Sequence, residues 1–261
     1  MIGIFDSGLG GLTVARAVMD ALPGYDIIYF GDTARTPYGA KSAGTVEKYA
    51  IEDTRLLLDR GARIIVIACN TASSVATESI VRNFHVPVFE VITPAVETAL
   101  AVSKTGAIGV IGTRATITSG IYERKILERR PGASVFSIAC PLLVPLVEEG
   151  WLKKPETAMI IRKYLHPLKT KGIDTLILGC THYPILKKTI ERKIGKNVST
   201  IDSATVVARS VRQYINQHPE TAEGLSVNGQ SRFLVSDVTA QFTKTARLIL
   251  NRNIRLEHIS L

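Results

Sequence analysis

The sequence predicts an α/β protein built from two pseudo-symmetric α/β domains, with mainly parallel sheets and an active site in the cleft between them. Three observations support this fold class. Short β-branched apolar runs alternate with amphipathic segments, the alternation starts again near residue 100, and one strand-like motif occurs twice. Because open α/β sheets bind ligands beyond the carboxyl ends of their strands, two facing halves would bring those ends into one cleft.

The repeated motif ends both times in a cysteine. Residues 63–73 read RIIVIACNTAS, and residues 174–184 read DTLILGCTHYP. A buried parallel strand has such a continuous apolar run, so Cys69 and Cys180 are predicted at the carboxyl ends of two strands. A single free cysteine is usually a small buried core residue, whereas two in matching polar surroundings indicate a functional pair.

The first half of the chain is predicted to contain four strands and three helices. The strands are expected at 2–5, 26–30, 63–68 and 87–91, and the helices at 12–22, from Ser42 or Thr45 to 61, and at 72–84. Residues 31–39 are too rich in turn formers for regular structure. The segment 8–11, with three glycines, precedes a helix, so its N–H groups are expected to approach an anion, although it matches neither a dinucleotide fingerprint nor a P-loop.

The second half is predicted to repeat this pattern. Besides the second cysteine-bearing strand, strands are expected at 107–111, 134–139 and 198–201. One basic helix is expected between strands 107–111 and 134–139, and further helices at 156–168, from about 185, and at 204–217. A loop should hold Cys140 and Pro141. A polar linker at 218–229, a strand at 232–236 and a helix at 239–250 follow.

The composition is that of an ordinary globular enzyme. The 261 residues are 46% hydrophobic and 21% charged, and no apolar run approaches the roughly 20 residues that cross a membrane. The chain enters a strand without a basic leader, so neither a signal peptide nor a membrane partner is expected. Three cysteines without scaffold spacing predict reduced thiols and a cytoplasmic location, and no metal site is expected because no CxxC pair or His/Cys cluster occurs.

The formal net charge of +9 raises the question of a nucleic-acid partner. The basic residues concentrate at 114–130 and 187–196, where glutamates interleave with them and no nucleic-acid-binding motif accompanies them. We interpret them as a solvated surface that aids the approach of an anionic substrate, and expect no nucleic acid as a partner.

Polar side chains accompany the cysteines at the predicted strand ends. Asp6 and Ser7 end the first strand, Asn70 and Thr71 follow Cys69, and Thr181 and His182 follow Cys180. Asp6 could also be a simple helix cap. His182 is a candidate proton partner for a thiol, with Glu148 or Glu149 beside it. Cys140 lacks the polar neighbours that Cys69 and Cys180 share, so it is predicted to be structural.

Two thiols facing one substrate suit one reaction class best. A dithiol oxidoreductase normally uses a local CxxC pair, and a cysteine hydrolase needs only one thiol. Inversion at a carbon acid uses both, because one group removes a proton from one face while the other delivers a proton to the opposite face.

Five motifs in the order and spacing seen here resemble those of the bacterial glutamate racemases. They are FDSGLGG at 5–11, GDTARTPYG at 31–39, ACNTAS at 68–73, CPLLVPLVEEG at 140–150 and GCTHYP at 179–184. The resemblance spans residues 1–200. It implies a racemase that supplies D-glutamate for peptidoglycan, with glutamate as its small-molecule partner and a homodimer as the assembly to consider. It also implies a first domain of residues 1–97 and 209–261 and a second of residues 98–208.

The resemblance assigns roles to the residues at the strand ends. Cys69 would act on the D-enantiomer with help from Asp6, and Cys180 on the L-enantiomer with help from His182, which Glu148 would support. The substrate's carboxylates and ammonium would be held by Asp6, Ser7, Pro37, Tyr38, Gly39, Asn70, Thr71, Thr113, Thr116, Thr181 and His182.

No cofactor is expected. A thiol with a pKa of about 8.5 is a weak base for an α-carbon, so fixed hydrogen-bond donors must stabilise the enolate-like carboxylate. Pyridoxal phosphate could provide this stabilisation, but it needs a Schiff-base lysine, and none of the five motifs contains a lysine.

Two alternatives stay open at the level of sequence. A racemase of aspartate or another acidic carbon acid could use the same cysteine pair, although the 31–39 motif favours glutamate. A non-catalytic binding protein for a small anionic ligand could use the same cleft without turnover.

Overall fold

The computed structural model describes residues 1–260, which contain two parallel sheets. The ten strands within these residues are β1 (Ile2–Asp6), β2 (Ile27–Gly31), β3 (Ile64–Ile67), β4 (Val88–Glu90), β5 (Ala107–Gly112), β6 (Ser134–Ala139), β7 (Thr175–Gly179), β8 (Ser199–Asp202), β9 (Ser231–Val235) and β10 (Leu256–His258). The six-stranded sheet has the order β10-β9-β2-β1-β3-β4, and the four-stranded sheet has the order β6-β5-β7-β8.

Twelve α-helices within residues 1–260 surround the sheets. They are α1 (Leu12–Ala21), α2 (Ala43–Asp59), α3 (Asn70–Asn83), α4 (Ile92–Val102), α5 (Arg114–Thr118), α6 (Ile121–Arg129), α7 (Leu143–Glu148), α8 (Pro155–Thr170), α9 (Lys187–Ile194), α10 (Ser203–Gln217), α11 (Pro219–Glu223) and α12 (Ala240–Leu250). Short 3₁₀ turns occur at Thr33–Arg35, Tyr38–Ala40 and Tyr183–Leu186. None of the helices in the described part combines the length and apolar character that a membrane span requires.

The two sheets share one strand order. Strands β2-β1-β3-β4 of the larger sheet correspond to β6-β5-β7-β8 of the smaller one, and every paired neighbour is parallel. This confirms the predicted α/β class with two similarly built halves. The extra strands β9 and β10 extend the first sheet beyond β2. The limits of the predicted domains stay a prediction, and α10 spans the one at 208/209.

The central strands are buried on both faces. In β1, Ile2 and Ile4 pack into one hydrophobic cluster while Phe5 packs into another, as expected where successive side chains point to opposite faces. The first cluster also contains Val110 of β5 and Ile177 of β7, so the two halves share a continuous core. A strand covered on both faces reads as an uninterrupted apolar run, which explains the sequence pattern.

Several local predictions need correction. Helix α4 and strand β10 were not predicted, and α7 occupies part of the segment after Cys140. Helix α11 lies inside the predicted polar linker at 218–229. The 31–39 segment contains two 3₁₀ turns. Helix α3 begins at Asn70 and not at residue 72, so Cys69 is the residue that precedes its first turn.

Candidate active site

The two cysteines of the repeated motif line one cavity of about 250 Å³. Both sheets contribute the ends of their strands to it. The lining residues are Ser7, Thr36, Pro37, Tyr38, Gly39, Ala40, Cys69, Asn70, Thr71, Thr113, Arg114, Pro141, Val144, Pro145, Glu148, Cys180, Thr181 and His182. A larger surface depression of about 770 Å³ lies against α1, α10 and α12 and contains none of the predicted site residues.

The thiol of Cys69 lies in an apolar and anionic environment. Its side chain is buried, and its Sγ lies 3.8 Å from Oγ of Ser7. Burial, followed by the charge of nearby Asp6, raises the pKa of Cys69 to about 12. Cys69 therefore holds its proton firmly in the free protein.

The thiol of Cys180 has a histidine as its polar neighbour. Its Sγ lies 3.8 Å from Nδ1 of His182, and Nε2 of that ring lies 3.1 Å from Oε1 of Glu148. Burial works against a charge on His182, but the hydrogen bonds with Cys180 and Glu148 outweigh it and raise the histidine pKa to about 10. The ring is therefore protonated at neutral pH, and the two thiols meet opposite electrostatic surroundings.

The carboxyl group of Asp6 is enclosed by the glycine loop. The N–H groups of Gly8 and Gly11 each donate to Oδ2 of Asp6 at 3.0 Å, and Thr181 donates to Oδ1 at 3.3 Å. The expectation that these loop amides face an external anion is therefore wrong for Gly8 and Gly11, because Asp6 occupies them. Full burial raises the pKa of Asp6 above its ordinary value. Asp6 lies behind the cavity surface.

Two glycines permit close packing around the site. A Cβ on Gly10 would lie 2.3 Å from Oγ1 of Thr181 and 2.5 Å from Nδ1 of His182. A Cβ on Gly39 would lie 2.7 Å from Cβ of Thr113. Contacts under about 3 Å exclude any larger residue, so these positions set how closely the two halves approach.

Three threonine hydroxyls form a cluster at the Cys69 side. Oγ1 of Thr71 lies 3.0 Å from Oγ1 of Thr113 and 3.2 Å from Oγ1 of Thr116. Thr71 and Thr113 line the cavity, whereas Thr116 is buried behind them. The structure thus places Thr116 as a support for the other two hydroxyls and not at the cavity surface.

The side chain of Asn70 uses only one end of its amide for a hydrogen bond. Its Oδ1 accepts a hydrogen bond of 2.6 Å from the Tyr122 hydroxyl. Its Nδ2 is buried and has no partner among residues 1–260. A buried amide hydrogen without a partner is costly, so this group is prepared for a ligand acceptor.

The segment 36–40 is held from behind by a buried charge cluster. The Tyr38 hydroxyl lies 2.5 Å from Oδ2 of Asp32 and 2.9 Å from Oδ2 of Asp53. Arg35 donates to the same two carboxyl groups at 2.7 Å and 2.9 Å and also contacts Glu52. The Tyr38 hydroxyl is therefore already engaged, and the substrate contact expected of Tyr38 stays a prediction.

Sequence reasoning missed several lining residues and one supporting residue. The unpredicted lining residues are Thr36, Ala40, Arg114, Pro141, Val144 and Pro145. Most lie inside the five motifs, and Arg114 directly follows the predicted Thr113. Treating each whole motif as part of the cavity lining would have found most of them. Tyr122 lies outside every motif. No group of three or more His, Cys, Asp or Glu side chains in the described residues is arranged to hold a metal ion.

Known proteins match the chain over nearly its whole length. Residues 13–211 match the family described as Asp/Glu/Hydantoin racemase. A protein of Geobacter metallireducens named glutamate racemase is 45% identical over 95% of this chain and 92% of its own.

Solved structures agree with this match. Glutamate racemase isoform RacE1 from Bacillus anthracis superimposes with a TM-score of 0.94 at 35% identity, covering 100% of this chain and 97% of its own. Glutamate racemase from Francisella tularensis in complex with D-glutamate gives 0.91 at 36% identity, covering 99% and 97%. The chain therefore belongs to the Asp/Glu/Hydantoin racemase family, where it groups with the glutamate racemases.

Proposed function

We propose that the chain is a cofactor-independent glutamate racemase that interconverts L- and D-glutamate by proton transfer between two thiols. The observation that carries the proposal is that Cys69 and Cys180, at equivalent strand ends of two like-ordered sheets, line one cavity. The substrate is taken from the matched relatives, which are named glutamate racemases. The D-glutamate formed would supply peptidoglycan synthesis.

The reaction moves one proton off the α-carbon and another onto it. With L-glutamate bound, Cys180 starts without its proton and takes the α-proton, and Cys69 then gives its own proton to the opposite face. The products are D-glutamate, a protonated Cys180 and a Cys69 thiolate. The reverse reaction or exchange with solvent restores the first state. Cys69 accordingly acts on D-glutamate and Cys180 on L-glutamate.

The opposite surroundings of the two thiols support this assignment. Cys69, beside Asp6, is the thiol that holds a proton, with a pKa of about 12. Protonated His182 lies at Cys180, and Glu148 stabilises the charged ring from its far side. Asp6 and His182 thus act as the proton partners of the two thiols, one on each side of the substrate.

Fixed donors must supply the rest of the rate enhancement. Each pKa unit between thiol and α-carbon costs about 1.4 kcal/mol, whereas a positioned base contributes about 10²–10⁴-fold. Donors for the substrate carboxylates are the Asn70 amide, the hydroxyls of Ser7, Thr71 and Thr113, and the main-chain N–H groups of Tyr38 and Gly39. They act in a small cavity, where fixed donors stabilise charge better than bulk water does. The proposed reaction needs no cofactor, because the thiols transfer the protons and the donors stabilise the charge on the carboxylate.

A cytoplasmic location is also part of the proposal. Cys69, Cys140 and Cys180 are all free thiols, as expected in a reducing cytoplasm. The homodimer considered from the sequence stays a prediction.

The test is to incubate purified protein with L-glutamate in D₂O without added cofactor. We expect the α-proton signal to disappear by NMR while the circular dichroism decays to zero. Retention of both signals under reducing conditions would exclude glutamate as substrate. The same experiment with L-aspartate then distinguishes the aspartate racemase, and ligand binding without turnover of either amino acid identifies a binding protein.

Three matched variants separate the thiols. Cys69→Ala and Cys180→Ala should each abolish racemisation, because each removes the proton donor or acceptor on one face. Cys140→Ala removes a buried thiol outside the cavity and should retain activity. Racemisation by either of the first two variants would contradict the two-thiol mechanism.

A further inference from the structure

We propose that Tyr122 is a positioning residue that orients the Asn70 amide so that its N–H groups face the substrate carboxylate; this rests on the proposed function. Tyr122 belongs to α6 in the second half of the chain and is 3% exposed. It does not line the cavity. The one hydrogen bond of its side chain within residues 1–260 is the 2.6 Å bond that its hydroxyl donates to Oδ1 of Asn70.

The orientation of the amide follows from counting hydrogens. A phenol has one hydrogen to donate, and burial, followed by the charges of Glu90 and Cys180, raises the pKa of Tyr122 well above its ordinary value. The hydroxyl therefore keeps its hydrogen and needs an acceptor, which is Oδ1 of Asn70. With the amide reversed, the phenolic hydrogen would lose its acceptor, and Oδ1 would repel a carboxylate in the cavity.

The free end of the amide matches the ligand. Nδ2 of Asn70 is buried and without a partner in the described chain, and Asn70 lines the cavity directly beside Cys69. A glutamate carboxylate supplies the acceptor that this donor lacks. Because Asn70 adjoins a reacting thiol, the carboxylate it contacts is the one on the α-carbon, where negative charge develops during proton removal.

The ring of Tyr122 also contacts the other thiol-bearing strand end. A Cβ on Gly179, the residue before Cys180, would lie 3.2 Å from Cε2 of Tyr122 and 2.8 Å from the main-chain oxygen of Ile111. The missing side chain at Gly179 thus leaves the space that the ring occupies. Tyr122 thus contacts Gly179, which precedes Cys180, and Asn70, which follows Cys69. Its hydroxyl is therefore fixed relative to both cysteines.

The test is Tyr122→Phe, alone and combined with Asn70→Ala. We expect the single variant to lower kcat/KM for L-glutamate about tenfold, the effect of one well-placed hydrogen bond. The larger share should fall on kcat, because the carboxylate charge grows during proton removal. In the Asn70→Ala background the same substitution should change kcat/KM by less than about twofold, because no amide remains to orient.

The control is Tyr183→Phe, which removes another buried hydroxyl, bonded to the main-chain oxygen of Cys140 at 3.0 Å. It should leave kcat/KM within about twofold of the wild-type value. An equal loss from Tyr122→Phe in both backgrounds would assign Tyr122 a structural role and overturn the inference. Full activity of the single variant would overturn it as well. A wild-type protein inactive on glutamate would instead refute the proposed function.

Discussion

The hydroxyl of Thr181 donates a hydrogen bond of 3.3 Å to Oδ1 of Asp6 and thereby joins two strand ends from different sheets. Asp6 ends β1, and Thr181 directly follows Cys180 beyond β7. The relationship recurs at the other thiol, where Thr71 lies 3.0 Å from Thr113 at the end of β5. Each cysteine-bearing strand end is therefore held by the first strand of the opposite sheet.

Replacing Asp6 with Asn is expected to make Cys69 react faster with iodoacetamide. Burial and then the charge of Asp6 raise the pKa of Cys69 to about 12, and Asn removes the second cause while keeping an acceptor for the glycine amides. The measurement is the alkylation rate at alkaline pH in a Cys180→Ala background, with the adduct located by mass spectrometry. An unchanged rate would show that Asp6 does not act on this thiol.

Replacing Glu148 with Gln is expected to lower the pKa of His182. Burial opposes the ring charge, but hydrogen bonds to Cys180 and Glu148 raise that pKa to about 10 in the folded protein, against about 6.5 when unfolded. The raised pKa contributes stability that is fully present below about pH 6.5 and is lost as pH rises through about 10. NMR titration of His182 gives its pKa directly. The Tm difference between wild type and variant should shrink towards pH 10, and a constant difference would contradict this origin.

Replacing Gly10 with Ala should remove most activity. The new Cβ would lie 2.3 Å from Oγ1 of Thr181 and 2.5 Å from Nδ1 of His182, so the contacts around His182 must shift. The matched control is Gly44→Ala in α2, where a Cβ meets nothing within 4 Å. That variant should keep its activity. Equal activities of the two variants would contradict the steric argument.

Replacing Arg35 with Met should destabilise the protein and raise KM. Asp32 and Asp53 are fully buried, so loss of the guanidinium leaves buried carboxyl groups uncompensated, at a cost of about 3–5 kcal/mol. The segment 36–40 that lines the cavity loses its support at the same time. In the control, Arg232→Met breaks an exposed pair with Glu257 and should cost about 0–1 kcal/mol. Urea unfolding and steady-state kinetics measure both effects, and equal unfolding free energies would refute the prediction.

The sequence could predict the strands that carry the thiols because both faces of those strands are buried. Strand β6 was predicted at its observed limits, and Cys69 and Cys180 lie at strand ends as expected. Alternation of strands and helices was sufficient to predict parallel sheets, and the restart near residue 100 was sufficient to predict two like halves.

Helix α4, strand β10 and the bond between Tyr122 and Asn70 were missed because each depends on contacts that local sequence patterns do not encode. Helix α4 follows β4 almost at once, and its first amides are capped by Glu90, which contacts the N–H groups of Ile92 and Thr93. A glutamate two residues ahead is a weaker signal than a Ser, Thr, Asp or Asn cap. Strand β10 has three residues and depends on pairing with β9. The bond between Tyr122 and Asn70 joins residues far apart in the chain, which no local pattern encodes.

The equivalent strands of the two sheets end in different residues, so mirror-image substrates meet chemically different faces. Enantiomers have equal free energies in water, and the equilibrium constant of the proposed reaction is therefore unity. The ratio of kcat to KM must then be identical for L- and D-glutamate in the wild type and in every variant. Asp6 and His182 can give the two enantiomers different values of kcat and of KM as long as the ratio stays the same. Neither residue can make the enzyme one-directional.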